Sequence, residues 1–258
     1  MSAAVPALPP GYEAFEVGRA RVVAKASIGG AVREAMGAGT LCAWAASQPG
    51  AQALAGRGIA WSVALPDGTP VVVRHSRHGG LLAPFTGDLF LAPTRAPREL
   101  DTAERLARAG VPTPKVAAYA VYPALGLFRR ADVASCTLAG ADFPAAWSAA
   151  PDEAARLSIV RATAMLLGTL QRAGASHPDL NLKNVFLVGR HGDVTAFVLD
   201  VDRVEFGAPD DPAIAERNVA RLVRSARKWR ERRGLAMGEE HLVRLAAAAL
   251  SHPRGIGR

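Results

Sequence analysis

Cysteine is scarce in this chain, whose 258 residues include only Cys42 and Cys136, far apart along the sequence. Two such cysteines build neither a disulfide framework nor a zinc knuckle, so we expect a reducing compartment. Long apolar runs are also missing, since none approaches the roughly 20 residues that span a bilayer. The first residues lack a basic segment and are broken by prolines, which argues against a signal peptide. These absences predict a soluble or surface-bound protein of the cytoplasm.

Acidic residues are outnumbered by basic ones, 23 to 31, which gives a net charge of +8. This excess predicts an anionic partner, meaning nucleic acid, anionic lipid or a phosphorylated substrate. Neither an aromatic-lined strand platform nor a recognised reading motif accompanies the charge, so no nucleic acid is expected as a partner.

The order of elements predicts an α+β fold with a strand-rich N-terminal half and a mainly helical C-terminal half. In the first half we expect strands within 12–25, a helix over 31–47, a hairpin through "PDG", a helix from Arg98 to Ala109 and a strand pair ending at Cys136. In the second half we expect helices over 151–174, 212–233 and 239–250, with a hairpin that ends in "VLDVD". Three regions are therefore proposed: an N-terminal extension (1–50), an N-lobe (51–138) and a C-lobe (139–258).

The stretch "SHPDLNLKNVFL", residues 176–187, carries several short polar side chains at the start of a predicted strand. His177, Asp179 and Asn184 match the spacing H-x-D-L-x-x-x-N, and Asp200 follows a second apolar run. Phosphoryl transfer needs a carboxylate to deprotonate the acceptor, here Asp179, and oxygen ligands for magnesium, here Asn184 and Asp200. We interpret His177 as a structural anchor of the backbone. The alternative is an ordinary turn, because Asp and Asn often build turns through local hydrogen bonds.

A site of this kind should be preceded by groups that hold nucleotide phosphates, and candidates occur in the expected order. Gly56, Arg57 and Gly58 form a short glycine loop before the predicted hairpin. Arg74 ends the second strand of that hairpin, and Glu99 in the next helix is its natural ion-pair partner. Taken singly, each has a simpler interpretation: a plain turn, a solvated strand end and a surface glutamate.

Together these stretches resemble the lipopolysaccharide kinase (Kdo/WaaP) family, and within it the 3-deoxy-D-manno-octulosonic acid (Kdo) kinases. The resemblance rests on "GRGIAW", "VVVRHSRHGG", "RELDTAERLARAGVPTP", "LFRRADV", "HPDLNLKNVFL", "VLDVDRV" and "ERNVARLVRSARKWR", over about residues 54–233. It implies a bilobal protein-kinase-like fold, ATP with Mg²⁺, and transfer of the γ-phosphate to a sugar hydroxyl of the lipopolysaccharide inner core at the cytoplasmic membrane face.

The resemblance also implies roles for particular residues. Asp179 would be the catalytic base, Asn184 and Asp200 the metal ligands, and Arg74 with Glu99 the phosphate-positioning pair. The nucleotide base would meet the backbone between Cys136 and Leu138.

Two departures from protein kinases stand out. Asp200-Val201-Asp202 replaces the DFG sequence, and Pro178 follows the histidine where an activation-sensing arginine is usual. We therefore expect a site that needs no phosphorylation switch.

The acceptor implied by the family is a Kdo-bearing lipid A precursor. Arg77 and His78, in a long insertion after Arg74, could bind the carboxylate or the phosphates of this acceptor. A simple solvated loop is an equal alternative. The helix at 212–233 is rich in arginine around an apolar stripe, and its basic side could rest on an anionic membrane surface. This predicts peripheral association with the inner face of the cytoplasmic membrane.

Two other functions fit the same motifs. One is a soluble small-molecule phosphotransferase of the aminoglycoside or choline kinase type, which shares the H-x-D-x-x-x-x-N chemistry. The other is a nucleotide-binding but inactive pseudokinase scaffold, which Arg74 in the usual lysine position keeps open.

Overall fold

The structure, a computed structural model, describes residues 8–54, 59–76, 88–190 and 192–251. It divides into two compact units. The first unit takes the chain up to Glu104 together with Lys115–Thr137, and the second takes Arg105–Pro114 and the residues from Leu138 onward. The first unit is rich in strands and the second in helices, so the predicted α+β class is confirmed.

An antiparallel sheet forms the first unit. Its strands are β1 (Tyr12–Val17), β2 (Ala20–Lys25), β3 (Gln52–Leu54), β4 (Ala60–Ala64), β5 (Pro70–His75), β6 (Phe90–Leu91), β7 (Val116–Pro123) and β8 (Phe128–Cys136). The order across the sheet is β1-β2-β7-β8-β5-β4-β3, and β6 pairs with β8.

The predicted "PDG" hairpin is confirmed as β4 and β5, which pair from Ala60 opposite Arg74 to Ala64 opposite Pro70. Its turn is closed by the N–H of Gly68, which donates to the carbonyl of Leu65 at 2.8 Å. Gly68 has a φ of 85°, a backbone conformation that glycine adopts without steric cost. The turn residues therefore set the register that places Arg74 at the end of β5.

The helices that begin in the first unit are α1 (Gly29–Ala35), α2 (Leu41–Ser47) and α3 (Arg95–Arg108), and the residues of α3 from Arg105 onward belong to the second unit. The single helix predicted over 31–47 is wrong, because the chain leaves α1 at Met36 and starts again at Leu41. Gly37 and Gly39 lie between the two helices, and glycine is a poor helix former. Thr40 then begins α2 by accepting a hydrogen bond from the N–H of Ala43 at 3.2 Å.

The core of the first unit lies between the sheet and its first two helices. Val71 and Val73 of β5 are buried there with Leu41 and Ala45 of α2. Side chains alternate along a strand, so Arg74 points to the opposite face of the sheet.

Helices dominate the second unit. They are α4 (Phe143–Ala149), α5 (Glu153–Arg172), α6 (Pro212–Arg233) and α7 (Glu239–Leu250). The predicted helices at 212–233 and 239–250 are confirmed at both ends, and the one at 151–174 is confirmed as α5. Helix α4 is an addition that the sequence reasoning missed.

Short strands connect these helices. They are β9 (Gly140–Asp142), β10 (Ala175–Ser176), β11 (Val185–Arg190), β12 (Asp193–Val198) and β13 (Glu205–Phe206). One sheet has the order β12-β11-β9, and β10 pairs with β13. The predicted hairpin after "SHPDLNLKN" is therefore confirmed as β11 and β12, with Val185 opposite Val198.

Aspartates begin three of these helices. Asp142, Asp152 and Asp211 each accept a hydrogen bond from a backbone N–H of the first helical turn, at 2.8 to 2.9 Å. Such caps satisfy N–H groups that have no partner inside the helix. Along the described ranges, the chain contains no helix with the length and apolarity that crossing a membrane requires.

Candidate active site

The loop that carries the H-x-D-L-x-x-x-N residues is held from both sides by buried hydrogen bonds. The N–H of His177 donates to Oδ1 of Asn218 at 3.0 Å, and Nδ2 of Asn218 donates to the carbonyl of Ala175 at 2.9 Å. Nε2 of His177 lies 3.1 Å from the carbonyl of Leu199, the residue before Asp200. The imidazole thus links the loop to the segment that carries the second predicted metal ligand.

His177 is completely buried, which decides its protonation. Burial lowers its pKa, outweighing the hydrogen bond to Leu199 and the nearby carboxylates. Because Nε2 faces a carbonyl, it carries the proton of the neutral ring, and Nδ1 has no hydrogen-bond partner among the described residues. A buried neutral ring bonded to backbone supports the structural role predicted for His177.

Asp179 has a fixed backbone and a partly exposed carboxylate. Its carbonyl accepts from Nδ2 of Asn181 at 2.8 Å and from Nδ2 of Asn184 at 3.0 Å. Its Oδ2 accepts from the guanidinium of Arg203 at 2.9 Å, and the side chain is 34% exposed. The carboxylate is therefore positioned, and solvent can still reach it.

Asn184 and Asp200 are joined through the backbone, because the N–H of Leu199 donates to the carbonyl of Asn184 at 2.9 Å. Asp200 is exposed and adopts a left-handed backbone conformation, with φ 57° and ψ 51°. Aspartate is one of the few residues other than glycine that occupy this region readily. The structure thus brings Asp179, Asn184 and Asp200 onto adjoining turns, as the sequence spacing predicts.

The chemistry of these groups fits Mg²⁺, which prefers a few carboxylate and carbonyl oxygens and completes its shell with water and phosphate. Nδ2 of Asn184 donates to the backbone carbonyl of Asp179, so Oδ1 of Asn184 is the side-chain atom that can bind a cation. Asp200 supplies an exposed carboxylate. Across the residues that the structure describes, no cluster of three His, Cys, Asp or Glu side chains could bind a metal ion, so a cation held by Asn184 and Asp200 would need further ligands from phosphate and water.

The predicted ion pair of the first unit is present. An Nη of Arg74 lies 2.5 Å from Oε1 of Glu99, which is 6% exposed. Arg74 itself is 32% exposed in its side chain, so its guanidinium is anchored by a buried carboxylate and still accessible. Whether the pair positions a phosphate stays a prediction.

Several predicted site residues receive no structural test. The glycine loop Gly56-Arg57-Gly58 and the candidate acceptor residues Arg77 and His78 lie outside the described residues. The predicted nucleotide contact with the backbone between Cys136 and Leu138 stays a prediction. The N–H of Cys136 donates to the carbonyl of Lys115 at 2.9 Å.

Sequence reasoning missed a charged cluster at His75, which follows Arg74 in β5 and points to the other face of the sheet. Nδ1 of His75 lies 2.6 Å from Oδ1 of Asp132, and Nε2 lies 2.9 Å from Oδ2 of Asp88. The hydrogen bond to Asp132 raises the pKa of His75, against the effect of burial and with help from Asp88. A ring between two carboxylates is held as imidazolium, the opposite of His177.

Asp132 is fully buried, and both of its carboxylate oxygens accept hydrogen bonds. Its Oδ2 accepts from the N–H of Cys42 at 2.8 Å and from the hydroxyl of Tyr122 at 2.9 Å. The Tyr122 hydroxyl in turn accepts from the N–H of Leu41 at the start of α2. Asp132 therefore ties α2 to the sheet, a role that an isolated aspartate in a strand sequence does not reveal.

Helix α6 supplies two polar contacts to the loop that were also missed. Asn218 is completely buried, and the hydroxyl of Ser225 accepts from the N–H of Leu182 at 3.1 Å. Asn218 and Ser225 are seven residues apart and lie on the same helix face as Leu222, which is between them in the sequence. Polar residues at these positions of an otherwise apolar stripe were the signal that could have identified them.

The basic side of α6 is partly neutralised by α7. Arg227 and Arg230 both pair with Glu239. The ring of Trp229 is half-buried and lies 5.6 Å from the guanidinium of Arg233. The exposed basic residues that remain on the C-terminal half of the helix are Arg224, Lys228, Arg232 and Arg233.

Comparison with known proteins confirms the family resemblance that the sequence motifs indicate. A model of the lipopolysaccharide kinase (Kdo/WaaP) family matches residues 43–239. A 3-deoxy-D-manno-octulosonic acid kinase of Stenotrophomonas maltophilia (strain R551-3) is 34% identical over 200 residues, covering 75% of this chain and 76% of the relative. Another from Xanthomonas oryzae pv. oryzae (strain PXO99A) is 35% identical over 185 residues, covering 69% and 70%.

A solved structure, WaaP in complex with acyl carrier protein, superposes with a TM-score of 0.55 at 20% identity and covers 86% of each chain. This likeness confirms the predicted protein-kinase-like α+β fold. The family match covers most of the chain and includes the loop around Asp179. The chain belongs to the lipopolysaccharide kinase (Kdo/WaaP) family and is a phosphotransferase that acts on a sugar hydroxyl.

Proposed function

We propose that this protein transfers the γ-phosphate of Mg-ATP to a hydroxyl of a Kdo sugar on a lipid A precursor. The observation that carries the proposal is the hydrogen bond from the Asn184 amide to the carbonyl of Asp179. This bond ties the side chain of Asn184 to the backbone of Asp179, and the bond from the N–H of Leu199 to the carbonyl of Asn184 brings the segment of Asp200 to the same turn. Kinase chemistry uses this combination of a base and two metal ligands.

Asp179 acts as the base in this proposal. Its carboxylate accepts the proton of the acceptor hydroxyl while the sugar oxygen bonds to the γ-phosphorus and the bond to the β-phosphate oxygen breaks, releasing ADP. Asn184 and Asp200 would hold Mg²⁺, which when bound neutralises charge on the phosphate oxygens. Arg74, held by Glu99, would donate hydrogen bonds to a nucleotide phosphate, the role that the family implies for it.

The proposed acceptor also explains the charge of the chain. A Kdo-bearing lipid A precursor is anionic and embedded in a membrane, and the protein has a net charge of +8. The exposed basic residues at the end of α6 suit anionic headgroups, so we propose peripheral binding at the cytoplasmic face of the membrane. Arg77 and His78 remain candidates for contacts with the acceptor.

An acceptor panel tests this function. Radiolabelled ATP is incubated with the wild-type protein and either a Kdo-bearing lipid A precursor, lipid A precursor without Kdo, kanamycin or casein. We expect label on the Kdo-bearing lipid alone, and loss of that label on addition of a chelator. Label on kanamycin would instead indicate a soluble small-molecule phosphotransferase, and ATP binding without transfer to any acceptor would indicate a scaffold.

A further inference from the structure

The ion pair between Arg203 and Asp179 has no role in the chemistry described so far. Arg203 follows Asp200-Val201-Asp202 in a short 3-10 turn whose residues Val201 and Asp202 are buried. The buried turn fixes the backbone, while the guanidinium is 39% exposed and donates to Oδ2 of Asp179 at 2.9 Å. A cation is thus held against the proposed base by a rigid segment.

Stability does not explain this pair. Ion pairs between side chains that are each about one-third exposed contribute roughly 0 to 1 kcal/mol, since solvent screens them. The carbonyl of Asp179 is already fixed by two asparagine amides, so its backbone does not depend on Arg203. A charged group at this position is therefore better explained by something that approaches Asp179.

The acceptor is what approaches Asp179, if the proposed function is right. Its reacting hydroxyl must come within hydrogen-bond reach of the carboxylate, which places the rest of the same sugar next to Arg203. An octulosonic acid carries its own carboxylate. A guanidinium has several N–H donors in a planar fork, so one edge can contact Asp179 while others bind a second carboxylate.

We propose that Arg203 binds the carboxylate of the acceptor sugar and so selects an acidic sugar for phosphorylation by Asp179. This inference rests on the proposed function and names the group that distinguishes the substrate. It gives Arg203 a binding role that differs from those of Arg74, on phosphate, and of Arg77 and His78, in the insertion.

The test compares a Kdo-bearing lipid A precursor with the same molecule whose Kdo carboxylate is converted to a carboxamide. We measure kcat/KM for both acceptors, and KM for ATP, in the wild type, Arg203→Gln, Arg203→Lys and Arg161→Gln. Arg161 is an exposed arginine of α5 and serves as the matched control. The wild type should prefer the acid by about 10- to 100-fold, the range expected for a hydrogen bond between charged groups.

In Arg203→Gln the preference for the acid should fall to within about threefold of unity, while Arg203→Lys keeps part of it because the charge remains. Any effect of Arg203 on Asp179 itself acts on both acceptors and cancels in this ratio. Arg161→Gln should keep the full preference, and KM for ATP should stay unchanged in all variants.

Two results would overturn the inference and leave the proposed function intact. One is an unchanged preference in Arg203→Gln, and the other is a loss that appears in KM for ATP, which would assign Arg203 to phosphate. If the wild type phosphorylates neither acceptor, the proposed function fails and this inference fails with it. Phosphoryl transfer that persists in Asp179→Asn would contradict Asp179 as the base, and so the proposed function itself, whatever the result for Arg203.

Discussion

Two segments of the molecule, the end of β5 in the first unit and the loop that carries His177 in the second, hold their buried polar groups in opposite ways. In the first unit charge is paired with charge: His75 lies between Asp88 and Asp132, and Arg74 pairs with Glu99. In the second unit the loop is held by neutral groups, since His177 and Asn218 bond to backbone and to each other. The carboxylates proposed to act there, Asp179 and Asp200, keep solvent access, while the neighbouring Asp202 is buried.

This difference matches the work that each unit is proposed to do. A phosphate needs a cation that stays in one place, and a buried carboxylate such as Glu99 anchors one well. A base and two metal ligands need free oxygen atoms, so neutral hydrogen bonds must do the positioning. The contrast also predicts that the two units respond to mutation and to pH in different ways.

Removing Asp132 should have the largest effect on stability. Asp132→Ala leaves the His75 imidazolium, the Tyr122 hydroxyl and the N–H of Cys42 without their buried acceptor, which we expect to cost about 3 to 5 kcal/mol. Urea denaturation measures this, with the exposed Asp193→Ala as the control. A loss below about 1 kcal/mol would contradict the importance given to charge pairing in the first unit.

Removing Asn218 should cost somewhat less. Asn218→Ala leaves the N–H of His177 and the carbonyl of Ala175 buried without partners, and we expect a total loss of about 2 to 4 kcal/mol because both groups are neutral. Chemical denaturation is again the measurement, and Arg217→Ala, on the neighbouring exposed position, is the control. Equal stability of the two variants would show that the loop is held by something other than Asn218.

The pH dependence of stability should have opposite signs at the two histidines. The pKa of His177 is lowered on folding, so its contribution is present above about 6.5 and is lost as pH falls below that value. The pKa of His75 is raised, so its contribution is complete below about 6.5 and is lost as pH rises through the folded pKa.

Each histidine can change the slope by at most about 1.4 kcal/mol per pH unit, the value for one proton. Urea denaturation at about 25 °C, repeated from pH 5 to pH 9, measures the contribution of each histidine to the free energy of unfolding. His177→Gln should flatten the acid side and His75→Gln the alkaline side. If either substitution flattens the other side, the protonation states assigned here are reversed.

The smallest expected effect concerns the exposed pair in the second unit. Arg203→Gln should change the free energy of unfolding by no more than about 1 kcal/mol, because both partners are screened by solvent. Thermal unfolding compared with Arg161→Gln measures it. A loss as large as that of Asn218→Ala would make Arg203 a structural residue and remove the contrast between the two kinds of contact.

The elements that could be predicted from the sequence are those with strong local signals. Helix α6 begins at a proline that follows an aspartate cap and ends at Arg233, just before Gly234, so both of its predicted limits were correct. The hairpin of β4 and β5 was readable from "PDG". The helix over 31–47 was wrong because alanine-rich spacing continues through Gly37 and Gly39, where the backbone turns away.

At the site, the close spacing of Asp179 and Asn184 made their proximity predictable. The ion pair of Arg74 and Glu99 was predictable from the order of the motifs. The partners of His75 were not, because Asp132 lies 57 residues away and pairing across the sheet brings them together. Arg203 was visible in the sequence, but its contact with Asp179 depends on the 3-10 turn after Asp200.

Single-turnover phosphoryl transfer by Asp179→Asn tests the central claim most directly. The substitution keeps the size of the side chain and removes the proton acceptor, and Asp193→Asn makes the same change at an exposed position of β12. With the Kdo-bearing lipid as acceptor, we expect Asp179→Asn to lose about 10² to 10⁴ in rate while ATP binding and folding persist. Asp193→Asn should match the wild type. A rate for Asp179→Asn within about threefold of the wild type would contradict the assignment of Asp179 as the base.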